Sequence, residues 1–161
     1  MSRFFFILSL GLVTACSSYR LGGPKPSFTR IEVAPVRNST SRPGTHAVLQ
    51  EKILEALSGD PRIKIGSGEA LLTTEVTQYK REGQTANSAD AFLISTYRVT
   101  FIVRCTLTTE GGKHVLFKDR EFSAAVTFQP KGDPTAEELS LGPTLFAEIA
   151  AQIREAATTA W

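Results

Sequence analysis

Apolar residues occupy every second position over residues 97–107 and 122–128, within two long stretches in the middle of the chain, residues 92–109 and 114–129. A period of two predicts β-strands that bury one face. The four residues between these stretches, 110–113 (EGGK), predict a hairpin turn. The apolar positions are Tyr97, Val99, Phe101, Val103, Cys105 and Leu107 in the first strand and Phe122, Ala124, Val126 and Phe128 in the second.

Shorter strands are predicted earlier in the chain. Ile31 and Val33 alternate with charged residues in the segment 28–36, and residues 63–65 start or flank another strand. A longer strand is predicted over residues 70–80, with Leu72 and Val76 on one face. Residues 37–44 and 81–90 are polar and contain glycine, so they are predicted to be a helix-capping turn and a loop.

Two amphipathic helices are predicted from apolar residues at helical spacing. The first carries Leu49, Ile53, Ala56 and Leu57 and should stop at Gly59. The second starts with a capping-box pattern at residues 135–138 and should break or kink at residues 142–143 (GP). Its apolar stripe consists of Leu145, Phe146, Ile149, Ile153 and Ala156.

These elements predict an α+β fold, a two-layer sandwich in which both helices pack on one face of a mixed sheet of about four strands. Residues 28–161 should form a single domain. The other face of the sheet would remain open and polar. It is expected to carry Arg98, Thr100, Arg104, Thr106, Thr108 and Arg120.

The first fifteen residues have the pattern of an export signal, with Arg3 followed by about ten apolar residues, too few to span a membrane. Residues 13–16 (VTAC) match the lipobox of bacterial lipoproteins, which predicts cleavage before Cys16 and acylation of its thiol. An ordinary signal peptide with a cysteine near the cut is the alternative. Several acyl chains would make a stable anchor. Ser17 favours sorting to the outer membrane, and residues 16–27 would form the tether.

Charge and cysteine content argue against bulk nucleic-acid binding and against a reactive cysteine. The net formal charge of +2 falls to +1 when the leader and its Arg3 are removed, so bulk nucleic-acid binding is not expected. With Cys16 acylated, Cys105 has no partner for an intramolecular disulfide. Its place on the apolar face of a strand predicts a buried residue of the core and not a nucleophile.

The sequence contains no recognisable catalytic motif. His46 and His114 lack the spacing of a zinc site, and no nucleophile elbow or phosphate-binding glycine loop is present. A lipid-anchored hydrolase would need a nucleophile and a base, and no such pair is evident. We therefore expect a protein that is not an enzyme and has no metal or cofactor apart from the lipid on Cys16.

The order of parts resembles the LptE family of lipopolysaccharide-assembly lipoproteins over essentially the whole chain. The most specific pieces are residues 16–22 (CSSYRLG), similar to the start of mature family members, and residues 97–103 (YRVTFIV), similar to their central strand. The family implies a lipoprotein on the periplasmic side of the outer membrane that plugs a large β-barrel and supports its assembly. It also implies contact with lipopolysaccharide during export.

The resemblance points to basic residues in loops at one end of the sheet as lipopolysaccharide contacts, and Arg81 and Lys131 match those places. Arg98 and Arg104 on the open face are further candidates, because arginine forms charge-assisted hydrogen bonds with phosphate. Basic side chains that only keep a sheet surface soluble are the simpler explanation. The loop around residues 87–95 is longer than the family pattern.

A rival interpretation rests on residues 30–40 (RIEVAPVRNST). This segment is similar to the strand and N-x-T opening of periplasmic lipoproteins that activate cell-wall synthases or form secretion pores. A strand that ends in a helix-capping turn explains the same residues. An activator would bind its partner through the helices, whereas a barrel plug would use the open sheet and loops.

Overall fold

The computed structural model describes residues 26–86 and 94–159, and within them a six-stranded mixed sheet and two helices make up the fold. The leader, Cys16 and most of the tether lie outside the described residues. The elements in chain order are β1 (Arg30–Val33), β2 (Arg37–Asn38), α1 (Thr45–Ser58), β3 (Lys64–Ile65), β4 (Ala70–Ala86), β5 (Ile94–Thr109), β6 (His114–Phe128) and α2 (Pro134–Thr159).

The strands lie in the order β3-β1-β4-β5-β6, and β2 pairs with β4 further along the edge that β1 also uses. β1 and β2 run parallel to β4, whereas β4, β5 and β6 form an antiparallel meander. A short 3₁₀ turn over Glu110–Gly112 joins β5 to β6, as the glycine pair predicts. The sheet is therefore mixed, with more strands than the four expected.

β4 is longer than its composition suggests. The polar segment from Arg81 to Ala86, predicted as part of a loop, continues the strand and pairs with β5 as far as Ile94. Pairing with a long neighbouring strand outweighs the weak strand propensity of these residues. Residues 37 and 38 likewise form β2 instead of part of a turn, with Arg37 opposite Glu75.

A β-bulge in β4 changes which residues face the helices. Val76 pairs with Val103 and Gln78 with Ile102, so Thr77 is an extra residue on β4. An extra residue shifts the alternation of side chains by one position. Before the bulge, even-numbered residues such as Val76 face the core, and after it the odd-numbered Tyr79 faces the helices, opposite Phe101.

Both helices pack on one face of the sheet, as predicted. The stripe of α1 is buried, and α2 packs against α1, β5 and β6. On the sheet, the alternating residues of β5 from Val99 to Leu107 are all buried on this side. The fully buried large side chains are Ile31, Leu49, Ile53, Leu57, Leu72, Val76, Val99, Val103, Cys105, Leu107, Ile149 and Ile153.

The start of α2 differs from the predicted capping box. The helix begins one residue earlier, at Pro134, which suits the first helical position because its missing N–H would have no partner there. Asp133 is the cap, and its Oδ1 accepts the backbone N–H of Thr135 at 2.9 Å. Thr135 is therefore inside the helix and does not cap it.

α2 continues through Pro143, where a break or kink was predicted. Proline lacks the N–H that would bond to the carbonyl of Leu139, so one helical hydrogen bond is missing. Apolar burial on the C-terminal side, including Leu145 and Ile149, holds the helix on the sheet despite this loss.

α1 begins after Gly44, whose φ of 76° is in the left-handed region that favours glycine. No side chain caps this helix, so the predicted turn supplies its backbone geometry but no cap hydrogen bond. The helix ends at Ser58, directly before Gly59, as predicted.

Two leucines of α2 provide a matched test of this packing. Leu145 is 3% exposed and Leu139 is 60% exposed. We expect Leu145→Ala to lower the free energy of unfolding by about 2–5 kcal/mol because it leaves a cavity in the core. Leu139→Ala should change it by less than about 0.5 kcal/mol. Urea unfolding followed by circular dichroism measures both, and equal losses would contradict the orientation of α2.

Candidate functional site

The face of the sheet opposite the helices carries threonine and arginine side chains at alternate positions of β5, as predicted. Both described helices lie on the other face. Arg120 was expected on the open face but points towards the helices, because it pairs with the buried Cys105. Its guanidinium lies 5.4 Å from the centre of the Phe122 ring. The open-face residues of β5 are mainly polar and include Thr96, Arg98, Thr100, Ile102, Arg104, Thr106 and Thr108.

Arg98 and Arg104 do not form a common site. They are six residues apart on one strand, which separates them by about 20 Å. The Arg104 guanidinium lies 3.4 Å from Oε1 of Glu121, and both side chains are substantially exposed, so this ion pair is weak. Arg98 is exposed and forms no ion pair with any residue that the structure describes.

A small depression of about 90 Å³ lies on the open face beside Arg104. Arg37 is the second cation in its lining, but Glu75 and Asp119 also contribute to it. Two cations and two carboxylates give no net charge. The depression therefore has no electrostatic preference for an anion.

Arg81 lies in β4 on the helix face and not in a loop. It pairs with Val99, and its Nη1 is 3.5 Å from Oε2 of Glu138 on α2. Its guanidinium lies 4.5 Å from the centre of the Tyr97 ring, within the range of a cation–π contact. The side chain is thus engaged by an aromatic ring and a carboxylate.

Glu138 is the centre of a polar cluster between α2 and the sheet. Its side chain is only 3% exposed, and its Oε1 accepts a hydrogen bond of 2.7 Å from the Tyr79 hydroxyl. The Arg42 Nη2 lies 3.0 Å from the same oxygen. With Arg81 on the other oxygen, two guanidinium groups face one carboxylate, so the cluster carries a net positive charge.

The cluster was not predicted, although α2 contains a signal for it. Glu138 lies seven residues before Leu145 and eleven before Ile149, which places a carboxylate on the apolar stripe of the helix. Buried acidic residues are almost always paired. The partners could not be found from sequence, because Arg42 precedes α1 and the β-bulge at Thr77 turns the β4 residues inward.

Burial and the hydrogen bond to Glu138 together raise the pKa of Tyr79 to about 12. Burial is the larger cause, because it disfavours the phenolate. The nearby Arg42 and Arg81 act in the opposite direction and lower the pKa. The phenol is therefore a neutral hydrogen-bond donor at physiological pH.

A half-open pocket of about 180 Å³ lies next to Glu138, between the start of α1 and the Pro143 region of α2. Arg42 and Glu138 form its polar wall. Most of the remaining lining is apolar. It consists of Pro43, Val48, Phe101, Leu139, Pro143 and Phe146 together with Gly44, Thr45 and Gly142.

Lys131 lies in the loop between β6 and α2, as predicted, and is exposed. Its backbone N–H donates to Oε1 of Glu137 at 2.7 Å, which fixes the loop against the start of α2. This loop is at the end of the sheet where Tyr97 pairs with Phe128, so Lys131 and Arg98 belong to the same end. Arg104 lies towards the opposite end of β5.

The N-x-T motif of residues 38–40 has a local structural role. Oδ1 of Asn38 accepts hydrogen bonds from the backbone N–H of Thr40 at 3.0 Å and from its hydroxyl at 2.7 Å. The amide of Asn38 donates to the carbonyl of Arg42 at 2.7 Å. These bonds shape the turn before α1 and position Arg42 for the Glu138 cluster.

Cys105 is 1% exposed and lies in the core, as predicted. Burial raises the pKa of its thiol to about 12, and a contact of 3.5 Å with the Thr74 hydroxyl acts weakly in the opposite direction. Since the thiolate is the reactive form, this residue is inert in the folded protein.

Within residues 26–86 and 94–159, no group of three or more histidine, cysteine or acidic residues has the arrangement of a metal site. Neither helix there is sufficiently long and apolar to cross a bilayer.

Several bacterial proteins of solved structure have a similar fold. A minor lipoprotein from Acinetobacter baumannii aligns with a TM-score of 0.55 at 15% identity, over 80% of this chain and 91% of that protein. A hypothetical protein from Chlamydia trachomatis gives 0.58 at 12% identity, over 81% and 98%. Uncharacterized lipoprotein B from Nitrosomonas europaea gives 0.54 at 9% identity, over 86% of each chain. This chain shares their fold.

No protein-family model matches the sequence, and no curated protein matches it either. The resemblance to lipopolysaccharide-assembly lipoproteins is thus supported as far as a fold found among bacterial lipoproteins. The outer-membrane and lipopolysaccharide roles stay predictions.

Removal of Glu138 should be costly because two guanidinium groups would lose their shared counter-charge. We expect Glu138→Ala to lower the free energy of unfolding by about 3–5 kcal/mol. Glu148→Ala, at an exposed position of the same helix, is the matched control and should cost less than about 0.5 kcal/mol. Urea unfolding at neutral pH compares the two variants. A small loss of unfolding free energy for Glu138→Ala would show that water can replace the carboxylate as the partner of the two guanidinium groups.

Alkaline pH should selectively weaken the contact of Tyr79. Its pKa is higher in the folded chain, so its contribution is complete below the ordinary tyrosine pKa of 10.0 and is lost as the pH rises through about 12. Between these values, the parent chain should lose more unfolding free energy than Tyr79→Phe. Urea midpoints across this range test the difference. If the urea midpoints of the two chains fall in parallel as the pH rises, the prediction is wrong.

Proposed function

We propose that this protein is an outer-membrane lipoprotein that plugs and supports assembly of the lipopolysaccharide-transport β-barrel. Acylated Cys16 would hold it on the periplasmic side, and the domain would contact lipopolysaccharide during export. The role requires no catalysis and no cofactor apart from the covalent lipid. It is a binding and scaffolding function.

The open face of the β4–β5–β6 meander carries this proposal. It is a broad, mainly polar surface to which β5 contributes threonine and arginine side chains as well as Ile102, and both described helices lie on the opposite face. Antiparallel sheets commonly keep one polar face towards water. A barrel lumen is also lined by polar side chains, so such a surface suits a plug.

Lys131 and Arg98 are the strongest candidates for lipopolysaccharide contact. Both are exposed, both belong to one end of the sheet, and Arg98 has no ion-pair partner among the described residues. Phosphate groups of the glycolipid would accept charge-assisted hydrogen bonds from them. Arg81 and Arg104 are weaker candidates, because each already forms an ion pair, at 3.5 Å and 3.4 Å, whereas Arg98 lies opposite Glu82 on β4 without an ion pair.

Several acyl chains on Cys16, at about 0.8 kcal/mol for each buried methylene, would hold the tether firmly in the membrane. The domain would then search for its barrel in two dimensions.

Reversal of charge at the proposed contact end should weaken glycolipid binding. We expect Arg98→Glu combined with Lys131→Glu to raise the Kd for lipopolysaccharide micelles by at least about tenfold, since two charge-assisted contacts would be replaced by repulsion. Arg81→Glu is unsuitable for this purpose because it would put a second carboxylate beside buried Glu138.

The matched control is Lys64→Glu combined with Lys113→Glu, which makes a similar charge change at the opposite end of the sheet, where both residues are exposed. Equal weakening by both pairs would indicate attraction by net charge alone. Unchanged binding in both would remove the assignment of Lys131 and Arg98.

The barrel role is tested by affinity capture of the intact lipoprotein from detergent-solubilised membranes, followed by mass spectrometry. We expect a large outer-membrane barrel in near-equal amount. Recovery of a cell-wall synthase or a secretion pore instead would favour the rival function.

A further inference from the structure

The half-open pocket beside Glu138 has space for the apolar part of a small molecule. Its volume is about 180 Å³. Since a cavity of about 150 Å³ holds a benzene molecule, a pocket of this size has room for about six carbon atoms. Most of its wall is apolar, and the rings of Phe101 and Phe146, with centres 4.8 Å apart, contribute to that wall. A small apolar group would therefore be well accommodated.

The polar wall of the pocket belongs to a cluster with an excess of positive charge. Arg42 and Glu138 are the only charged residues of the described chain in the lining. Glu138 faces two guanidinium groups, with Arg42 at 3.0 Å and Arg81 at 3.5 Å, and one carboxylate balances only one of them. Glu138 also accepts the Tyr79 hydroxyl. The carboxylate is thus fully engaged, and the uncompensated positive charge of the cluster reaches the pocket through Arg42.

The guanidinium of Arg42 also has unused hydrogen-bonding capacity. Its Nη2 is buried and, although it lies 3.0 Å from Oε1 of Glu138, it makes no hydrogen bond of suitable geometry with a described residue. Buried donors are normally paired with protein, water or a bound group. The Arg42 side chain is 19% exposed, so the guanidinium is within reach of a molecule in the pocket.

The start of α1 adds positive potential on the same side of the pocket. Gly44 and Thr45, where this helix of 14 residues begins, are in the lining. No side chain caps α1, and its first turn contains no acidic residue. The first N–H groups of a helix lack partners within the helix and carry partial positive charge, which favours an anion. A guanidinium and an uncapped helix start therefore act together at this wall.

We propose that this pocket binds a small monocarboxylate, with the carboxylate beside Arg42 and the start of α1 and the apolar part against Phe101 and Phe146. A bound monoanion makes the cluster neutral, because two guanidinium groups then face two carboxylates. A cationic ligand would instead add to the excess of positive charge. The pocket lies on the helix side of the sheet, so the proposal is independent of the open face and of the lipopolysaccharide role.

Hexanoate tests the pocket on the full mature lipoprotein in detergent micelles, and neutral hexanamide and the hexylammonium ion are the comparison compounds. Methyl NMR signals of Leu139 and Val48 report on the pocket. Leu71 and Val115, both exposed beside Thr108 on the open face, give the remote control signals. We expect hexanoate to shift only the first two signals, with a Kd at least about fivefold below that of hexanamide. Hexylammonium should bind more weakly than hexanamide.

A pair of variants at Gly142 tests whether hexanoate occupies the pocket itself. Gly142 lies in α2 and lines the pocket, and an added Cβ would approach only the edge of the Phe146 ring, at 4.0 Å. The helix therefore accepts a larger residue at this position. Gly142→Leu should fill the pocket and abolish the hexanoate shift of Val48, whereas Gly142→Ala should retain it. Circular dichroism checks that both variants are folded.

A second pair of variants tests the role of the cation. Arg42→Met keeps an unbranched side chain but removes the charge, so the preference for hexanoate over hexanamide should fall below about twofold. Glu138 would keep Arg81 as its counter-charge in this variant. Arg154→Met removes an exposed cation of α2 that does not line the pocket, and it should leave the preference unchanged.

Several outcomes would overturn the proposal. Absence of a hexanoate shift at Leu139 and Val48 would exclude binding in the pocket. Equal shifts at Leu71 and Val115 would indicate adsorption to the surface or the micelle only. Equal Kd values for the three compounds would exclude selection of an anion, and an unchanged response in Gly142→Leu would place the ligand elsewhere.

Discussion

The antiparallel pairing of β4 with β5 is the contact on which the rest of the structure depends. It runs from the Ala70–Thr109 pair to the Ala86–Ile94 pair, and β1 and β2 bond to its β4 side while β6 bonds to its β5 side. Because side chains alternate along a strand, this one register decides which residues of both strands reach the helices.

The bulge at Thr77 interrupts the alternation of side chains along β4. It therefore changes which β4 residues face the helices from Gln78 onwards. Without the extra residue, Gln78 and Lys80 would face α2, and Tyr79 and Arg81 would face solvent. The bulge instead brings a phenol and a guanidinium to Glu138. A carboxylate on an otherwise apolar helix stripe is tolerated because the strand opposite it supplies its donors.

The sequence was sufficient for features that repeat with a regular period. The alternation in β5 and β6, the stripe of α1, the buried Cys105 and the two-layer arrangement all follow from apolar spacing, which burial enforces directly. Local composition predicted the secondary structure less well where pairing with a neighbouring strand determines it. The polar residues from Arg81 to Ala86 became strand because β5 extends beside them.

The candidate contact residues were predicted less well than the fold. Lys131 lies in a loop at one end of the sheet and Arg98 on the open face, as expected, but Arg81 is turned to the helix side by the bulge and Arg104 lies near Glu121. The Glu138 cluster joins a turn, a strand and a helix that are distant in the chain. Only the three-dimensional arrangement could bring these residues together.

The two halves of the sheet differ in how far apart their paired segments lie in the chain, and this difference affects the entropy cost of forming each half. The meander of β4, β5 and β6 closes through short connections, so its loop-closure entropy is small. β1 can join β3 and β4 only after α1 has crossed back over the sheet. We therefore expect the meander to form first and the N-terminal strands to pair with it afterwards.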